Sequence, residues 1–413
     1  MTSLPYHEKR QQFYSKIKDF WPDLYGEEYA LYDIACMRRS EVDEIRMASD
    51  RIGRVFFKVA TLLREVPEET LKEMGFPSES LSFLKLKTLP FESIIARLDL
   101  IRTESGLKCI EINSDTPTFI KELFNINGQV CNEFQIEDPN AGMDERLAYA
   151  VRFSINEYAK QNKKPKPYIV FTAHEDSEED RETVRYLQDL AGLPSRFVPL
   201  HKLEIAQGEG LFDEEGRKID ILYRQTFPIE NLIMDEDEEG NKIGLWLLEL
   251  VELGKLMIIN PPSAFLLQNK AVQAIIWGLH EEKHPFFTDE EHAWIEEYFL
   301  PTFFEPDYFF RLNIAFVKKP SFGREGDTVE IFSGAGELRL QDSQKSYTDY
   351  VPVYQKYVEL PSVTFMSAKG KQTGNLLIGS FLLNGHAAAI GFRVGERITN
   401  NLSYYLPVGL LEE

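Results

Sequence analysis

Apolar positions recur at three- and four-residue steps over residues 42–63, where Val42, Ile45, Ala48, Ile52, Val55, Val59 and Leu62 fall on one face. That spacing predicts an amphipathic helix packed on a core. Residues 93–113 alternate instead and are divided by Glu104-Ser105-Gly106, which predicts a β-hairpin with a three-residue loop, Gly106 supplying the positive φ. Residues 119–126 read as helix. Between 167 and 280, short apolar runs at 168–171, 196–198, 219–223 and 256–259 are interspersed with helical stretches such as 178–190 and 245–253. Strand–helix alternation of this kind indicates an open α/β layer. From about residue 311 short strands and turns dominate: 314–319 with 328–332 as its partner, then 354–360. A hairpin of 376–383 and 387–393 follows around Asn384-Gly385, a favoured two-residue turn.

Composition narrows the function classes. The 413 residues are 43% hydrophobic and 27% charged, as in ordinary globular proteins, and the length suggests two or three lobes. No apolar run reaches the roughly 18 residues of a membrane span, and the N-terminus lacks a signal-peptide stretch. Cys36, Cys109 and Cys131 form neither a disulfide framework nor a CxxC pair, so a cytoplasmic setting is expected, with Cys36 and Cys109 in the core. A net charge of −21 argues against nucleic acid, which demands clustered cations. It suits solubility, and it could steer a cationic substrate. The acidic run 235–240 reads as a solvated turn, because Trp246 and Ile243 stand where a calcium loop needs polar ligands. His280 and His284, before Pro285, read as a helix end.

Two segments carry candidate chemistry. In the hairpin, a register whose paired positions sum to 210 sets Asp99 opposite Glu111 and Arg97 opposite Asn113. Alternation puts all four on one face, with Ile94, Ala96, Leu98, Leu100, Ile110 and Ile112 on the other. Opposed carboxylates repel, so something positive belongs between them: Mg²⁺, which takes one or two carboxylates plus phosphate oxygens, or Arg97 itself on a solvated face. The second segment, residues 316–329, sets Lys318 and Lys319 before a turn containing Gly323, Arg324 and Gly326. Glycines admit an anion to backbone N–H groups while the cations supply charge. It is neither a Walker A loop nor a dinucleotide fingerprint, and an ordinary basic surface turn is the alternative. Lys318 and Lys319 face opposite ways, so only one of them reaches phosphate.

Taken in order, Arg97-Leu98-Asp99, Glu111-Ile112-Asn113-Ser114-Asp115-Thr116-Pro117-Thr118, Asn269-Lys270-Ala271, the loop 319–326, Tyr354-Gln355, Gly391-Phe392-Arg393 and Ile398-Thr399-Asn400-Asn401 resemble the glutathionylspermidine synthase family of ATP-grasp ligases. The resemblance spans nearly the whole chain and implies a stand-alone synthetase without the amidase domain many members carry. The implied fold class is α/β, a permuted ATP-grasp with an inserted open α/β layer. Its regions are 1–165 (N-terminal helices and metal-binding hairpin), 166–285 (substrate lobe) and 286–413 (nucleotide-binding lobe). The implied cofactors are ATP and Mg²⁺, and the activity is amide formation between a glutathione-like peptide and a polyamine-like amine through an acyl phosphate. By the same resemblance Asp99, Glu111 and Asn113 hold metal. Lys270, Lys319, Gly323, Gly326 and Gln355 bind nucleotide. Arg97, Arg324 and Arg393 act on the reacting groups, and Thr116, Thr118, Glu178 and Glu179 meet the substrates. A ligase of another peptide and amine, a kinase-like enzyme, and a non-catalytic ATP-binding protein are the alternatives.

Overall fold

The computed structural model describes residues 4–324, 326–400 and 402–411. Glu325 of the glycine loop and Asn401 of the closing motif lie outside them. The expected amphipathic helix runs over Arg39–Glu65 and buries Val42, Ile45, Ala48, Ile52, Val55, Phe56, Val59 and Leu63. Leu63, not Leu62, closes the apolar stripe. At its start the Glu41 carboxylate accepts the Arg38 backbone N–H at 2.8 Å, satisfying a donor that the helix end leaves open. A Cβ on Gly53 would meet Leu382 at 2.8 Å, so this glycine lets the helix approach the sheet beneath it closely.

That sheet is antiparallel and runs in the order Tyr404–Leu406, His386–Gly395, Gly370–Leu383, Ile95–Thr103, Gly106–Asn113, with Ser362–Ser367 also paired to Gly370–Leu383. Strands from the two ends of the chain therefore share one sheet. The turn between its two long strands has positive φ at both Asn384 and Gly385, as the two-residue hairpin requires.

The middle of the chain forms a parallel sheet in the order Met257–Ile259, Ile221–Gln225, Ile169–Ala173, Ser195–Phe197. The helices Glu178–Ala191 and Ile243–Glu252 lie between its strands in sequence, so the expected alternation holds with boundaries moved by a few residues. A third, antiparallel sheet runs Thr302–Phe303, Pro352–Lys356, Phe316–Pro320, Glu330–Phe332, Leu338–Gln341. Its second strand ends at Lys356, not at 360, because Lys356 pairs with Phe316, the first residue of its partner.

Two further expectations need correction. The helix expected over 119–126 is irregular: Phe119 has φ +81°, and a wide π turn over Glu122–Ile126 leads into Asn127–Phe134. Cys36 is exposed, since it is the outward residue of the short Ala35–Met37 strand, whose Met37 is buried. Cys109 and Cys131 are buried free thiols. The acidic run is a turn in which Asp237 accepts the N–H groups of Glu239 and Asn241. His280 turns inward to Glu296 at 2.8 Å, while His284 lies past the helix end and accepts the Phe286 N–H. Among the described residues, no helix is long and apolar enough to cross a membrane.

Candidate active site

Arg97 stands opposite Asn113 and Asp99 opposite Glu111. The loop is tighter than expected, because Thr103 pairs with Gly106 and leaves only Glu104 and Ser105 in the turn. The register is restored by a bulge at Asp99/Leu100, where Leu100 pairs with Cys109 and Ile110 is skipped. Bulges re-aim side chains. Ile110 accordingly lines the cleft with Ile101 and does not pack on the opposite face beside Ile112. Its carbonyl accepts hydrogen bonds from Lys319 Nζ at 2.8 Å and Gln273 Nε2 at 2.9 Å.

The cleft between the two larger antiparallel sheets contains every expected site residue except Glu178, which is exposed at the start of its helix. Seven cationic side chains (Arg97, Lys270, Lys319, Arg324, Lys356, Arg393, Arg397) and four acidic ones (Asp99, Glu111, Glu179, Asp327) line it. The cleft is thus locally positive although the chain carries −21 overall. Arg97 grips Asp99 bidentately, Nε to Oδ1 at 2.7 Å and Nη2 to Oδ2 at 3.1 Å. It also donates to the Thr118 carbonyl at 3.1 Å. Lys270 lies 3.5 Å from Glu111 and donates to the Gly323 carbonyl at 2.7 Å. Lys319 also donates to Gln355 Oε1 at 2.9 Å, and Gln355 is braced by Gln273 and Thr302. Lys318 points the other way, to Glu330 at 3.3 Å.

Burial and charge compete here. Burial alone would push the Glu111 carboxyl up, but Lys270, Lys319 and Arg97 together hold it at about 2. Burial brings the Lys319 ammonium down to about 8 against the pull of Glu111. Asp99 is pushed up by burial, with Arg97 opposing and Glu111 adding to the rise.

The glycine loop reaches across to the hairpin end, where Arg324 Nη2 donates to the Thr116 hydroxyl and to its carbonyl at 3.1 Å. Gly326, at φ +76°, lies so near Ile398 and the Thr399 carbonyl that a Cβ would meet them at 2.5 and 2.8 Å. Arg393 donates to the Asn400 carbonyl at 2.9 Å. Asp115, just before Thr116, is buried 2.5 Å from Arg224 and accepts the Ile229 N–H, which ties the hairpin end to the parallel sheet.

Some lining residues carried no signal in the sequence. Leu24, Tyr25 and Tyr29 come from an N-terminal segment without periodicity or motif. Tyr357, Val358 and Leu360 line the cleft because the chain has left the sheet there.

The model of the glutathionylspermidine synthase preATP-grasp family matches residues 4–411. The chain belongs to this family. A curated relative named "Putative acid--amine ligase", from Haemophilus influenzae, is 24% identical over 325 residues, 76% of this chain and 74% of the relative. A solved structure of a glutathione synthetase-like effector from Globodera pallida, in apo form, superposes with a TM-score of 0.56 at 12% identity, covering 93% of this chain and 90% of that one. The fold is accordingly of the ATP-grasp-related α/β kind.

The cation that the resemblance implies would meet a compatible donor set. Asp99, Glu111 and the amide oxygen of Asn113 are hard donors, and Mg²⁺ commonly takes one or two carboxylates together with phosphate oxygens. The bidentate contact with Arg97 uses two of about four lone-pair sites on Asp99. Among the described residues, no group of three or more His, Cys, Asp or Glu forms a self-sufficient cage.

Proposed function

We propose that this chain is an ATP- and Mg²⁺-dependent acid–amine ligase that activates a carboxylate as an acyl phosphate and transfers it to an amine. The observation carrying this reading is the cleft lining: cations from the two antiparallel sheets and the loops beside them surround two cross-strand carboxylates next to an apolar slot. Family membership and the relative's name support it.

Leu300, Val317, Val329, Ile331, Val358 and Leu360 suit the faces of a purine, with Gln355 at its edge. Lys270 and Lys319 reach the phosphates, and the Gly323–Gly326 turn brings Arg324 over the γ-phosphate. Asp99, Glu111 and Asn113 hold Mg²⁺, which when bound offsets charge on the phosphate oxygens. Arg97 and Arg393 orient the substrate carboxylate for attack on the γ-phosphoryl group, a reaction that depends mainly on positioning and electrostatics. Thr116 and Thr118 steady the acyl substrate and Glu179 the amine, with Glu178 at the mouth. Closure of the loop keeps water from the acyl phosphate. Residues 286–413 then serve chiefly as the nucleotide lobe, 166–285 as the substrate lobe, and 1–165 as the metal-bearing part. Three free thiols suit a reducing cytoplasm.

The test is ADP release with ATP, Mg²⁺, glutathione and spermidine, the last two added separately and together, with mass spectrometry of the products. An Asp99→Asn, Glu111→Gln double variant is the blank. Release requiring both substrates, with the condensed amide in the spectrum, is the expected result. Glutathione and spermidine stand for their classes, so a panel of short peptides and amines extends the assay. ATP binding with no turnover across the panel would favour a non-catalytic nucleotide-binding protein. No ATP binding at all would overturn the reading.

A further inference from the structure

At the end of the cleft bearing Arg97 and Arg393 lies an acid that the reaction above leaves unused. Glu122 is fully buried, at the point where the chain makes its π turn. Its Oε1 accepts the Tyr29 hydroxyl at 2.6 Å, while its Oε2 has no partner among the described residues. Tyr29 is itself 7% exposed and lines the cleft. Tyr405 donates to the Glu122 backbone carbonyl at 3.2 Å, fixing the turn without touching the carboxylate. A buried carboxylate with half of its acceptor capacity unmet costs free energy, and a stabilising role alone would be served as well by an amide.

Resting on the ligase reading, we infer that Glu122 accepts, through the Tyr29 hydroxyl, the proton that the amine substrate must lose. As the nitrogen bonds to the acyl carbon, the carbon–oxygen bond to phosphate breaks and phosphate leaves with the electron pair. Before that attack the ammonium proton passes to Tyr29 Oη while the tyrosine proton passes to Glu122 Oε1, which frees the nitrogen lone pair, and the second proton, released as the amide forms, leaves on the phosphate. The charged groups around this relay are Arg97 and Arg393, which favour the ionised carboxylate, and Glu179 across the cleft, whose charge bears on Tyr29. Burial raises the Glu122 carboxyl above its ordinary value, which makes it a stronger base than an exposed carboxylate once ionised.

The experiment compares nucleophiles of different proton demand. Hydroxylamine is neutral at neutral pH and captures an acyl phosphate without a base, whereas alkyl amines arrive protonated. Wild type, Glu122→Gln and Tyr29→Phe are assayed with ATP, Mg²⁺, an acid from the peptide panel, and either hydroxylamine or a series of amines from methylamine to spermidine. Both variants are expected to lose amide formation with alkyl amines by about 10²-fold or more, the size of a general-base contribution, and to keep hydroxamate formation within a few-fold. Equal loss with both nucleophiles would make the pair structural and overturn the inference. So would unchanged rates with alkyl amines, or a wild type that forms hydroxamate but accepts no alkyl amine. Should Glu122→Gln fail to fold, Tyr29→Phe alone decides. A wild type forming no hydroxamate with any acid would instead remove the ligase reading, and this inference with it.

Discussion

Glu230 is 1% exposed, and neither carboxylate oxygen has a hydrogen-bond partner among the described residues. Burial raises its pKa from an ordinary 4.5 to about 7, with Arg324 and Lys270 too weak to offset it and Asp115 adding to the rise. The linkage sign follows. Below pH 4.5 the group is protonated in folded and unfolded chains alike and costs nothing. Between 4.5 and 7 the unfolded chain gives up its proton first, so stability falls as pH rises, and the full penalty is present above 7. At 1.36 kcal/mol per unit, the penalty is about 1.4 kcal/mol at pH 5.5 and about 3.3 kcal/mol at pH 8. Glu230→Gln removes the ionisation and keeps the shape. Its own unmet amide bonds add a pH-independent cost, so only the change with pH is diagnostic. Urea unfolding of parent and variant at the two pH values should show the variant's relative stability improving by about 2 kcal/mol from pH 5.5 to pH 8. Parallel stability curves would refute the reasoning and mean that Glu230 is paired or solvated when folded.

Three other outcomes follow from the cleft. Lys319→Met should weaken ATP binding by about 10- to 100-fold, the worth of a charge-assisted hydrogen bond. Lys318→Met, which breaks only an outward pair with Glu330, should leave it within about 1 kcal/mol; calorimetric titration compares them. Gly326→Ala places a methyl group 2.5 Å from Ile398 at positive φ and so should displace the loop that carries Arg324, lowering ADP release at least about tenfold through misplacement of a catalytic group. Asp115→Asn leaves Arg224 buried without its counter-charge and should cost about 3–5 kcal/mol in urea unfolding, whereas the Asp115→Leu, Arg224→Met pair should recover most of that loss.

What the sequence made legible was what local rules control. The alternation at 93–113 and the turn residues placed Arg97, Asp99, Glu111 and Asn113 on one face, because side-chain direction in a hairpin follows from register alone. The same rule separated Lys319 from Lys318. The bulge at Ile110 was not legible: it depends on Lys319 and Gln273 arriving from other elements to use the carbonyl it exposes. Tyr29 and Glu122 escaped notice for the same reason, since 93 residues separate the partners of their hydrogen bond. Glu178 and Glu179 are adjacent, and only the orientation of their helix against the cleft decides that the second lines it and the first does not. The end of the strand at Lys356 was set by the length of its partner, which no pattern within 354–360 encodes.

The way the cleft holds its cations bears directly on what it can bind. Lys319 donates to the Ile110 carbonyl, Lys270 to that of Gly323, Arg324 to Thr116 and Arg393 to that of Asn400. These acceptors are neutral. They fix the directions of the donors without cancelling their charge; Lys270 also lies 3.5 Å from Glu111, and Arg97 is locked to Asp99 in a bidentate pair. Positive charge is therefore stored in oriented groups, four of them braced by backbone drawn from the hairpin, the glycine loop and the closing turn. A polyphosphate entering such a site meets donors already aimed, so little reorganisation is needed as charge moves between oxygens, and this is the condition under which electrostatic stabilisation of a transition state is largest.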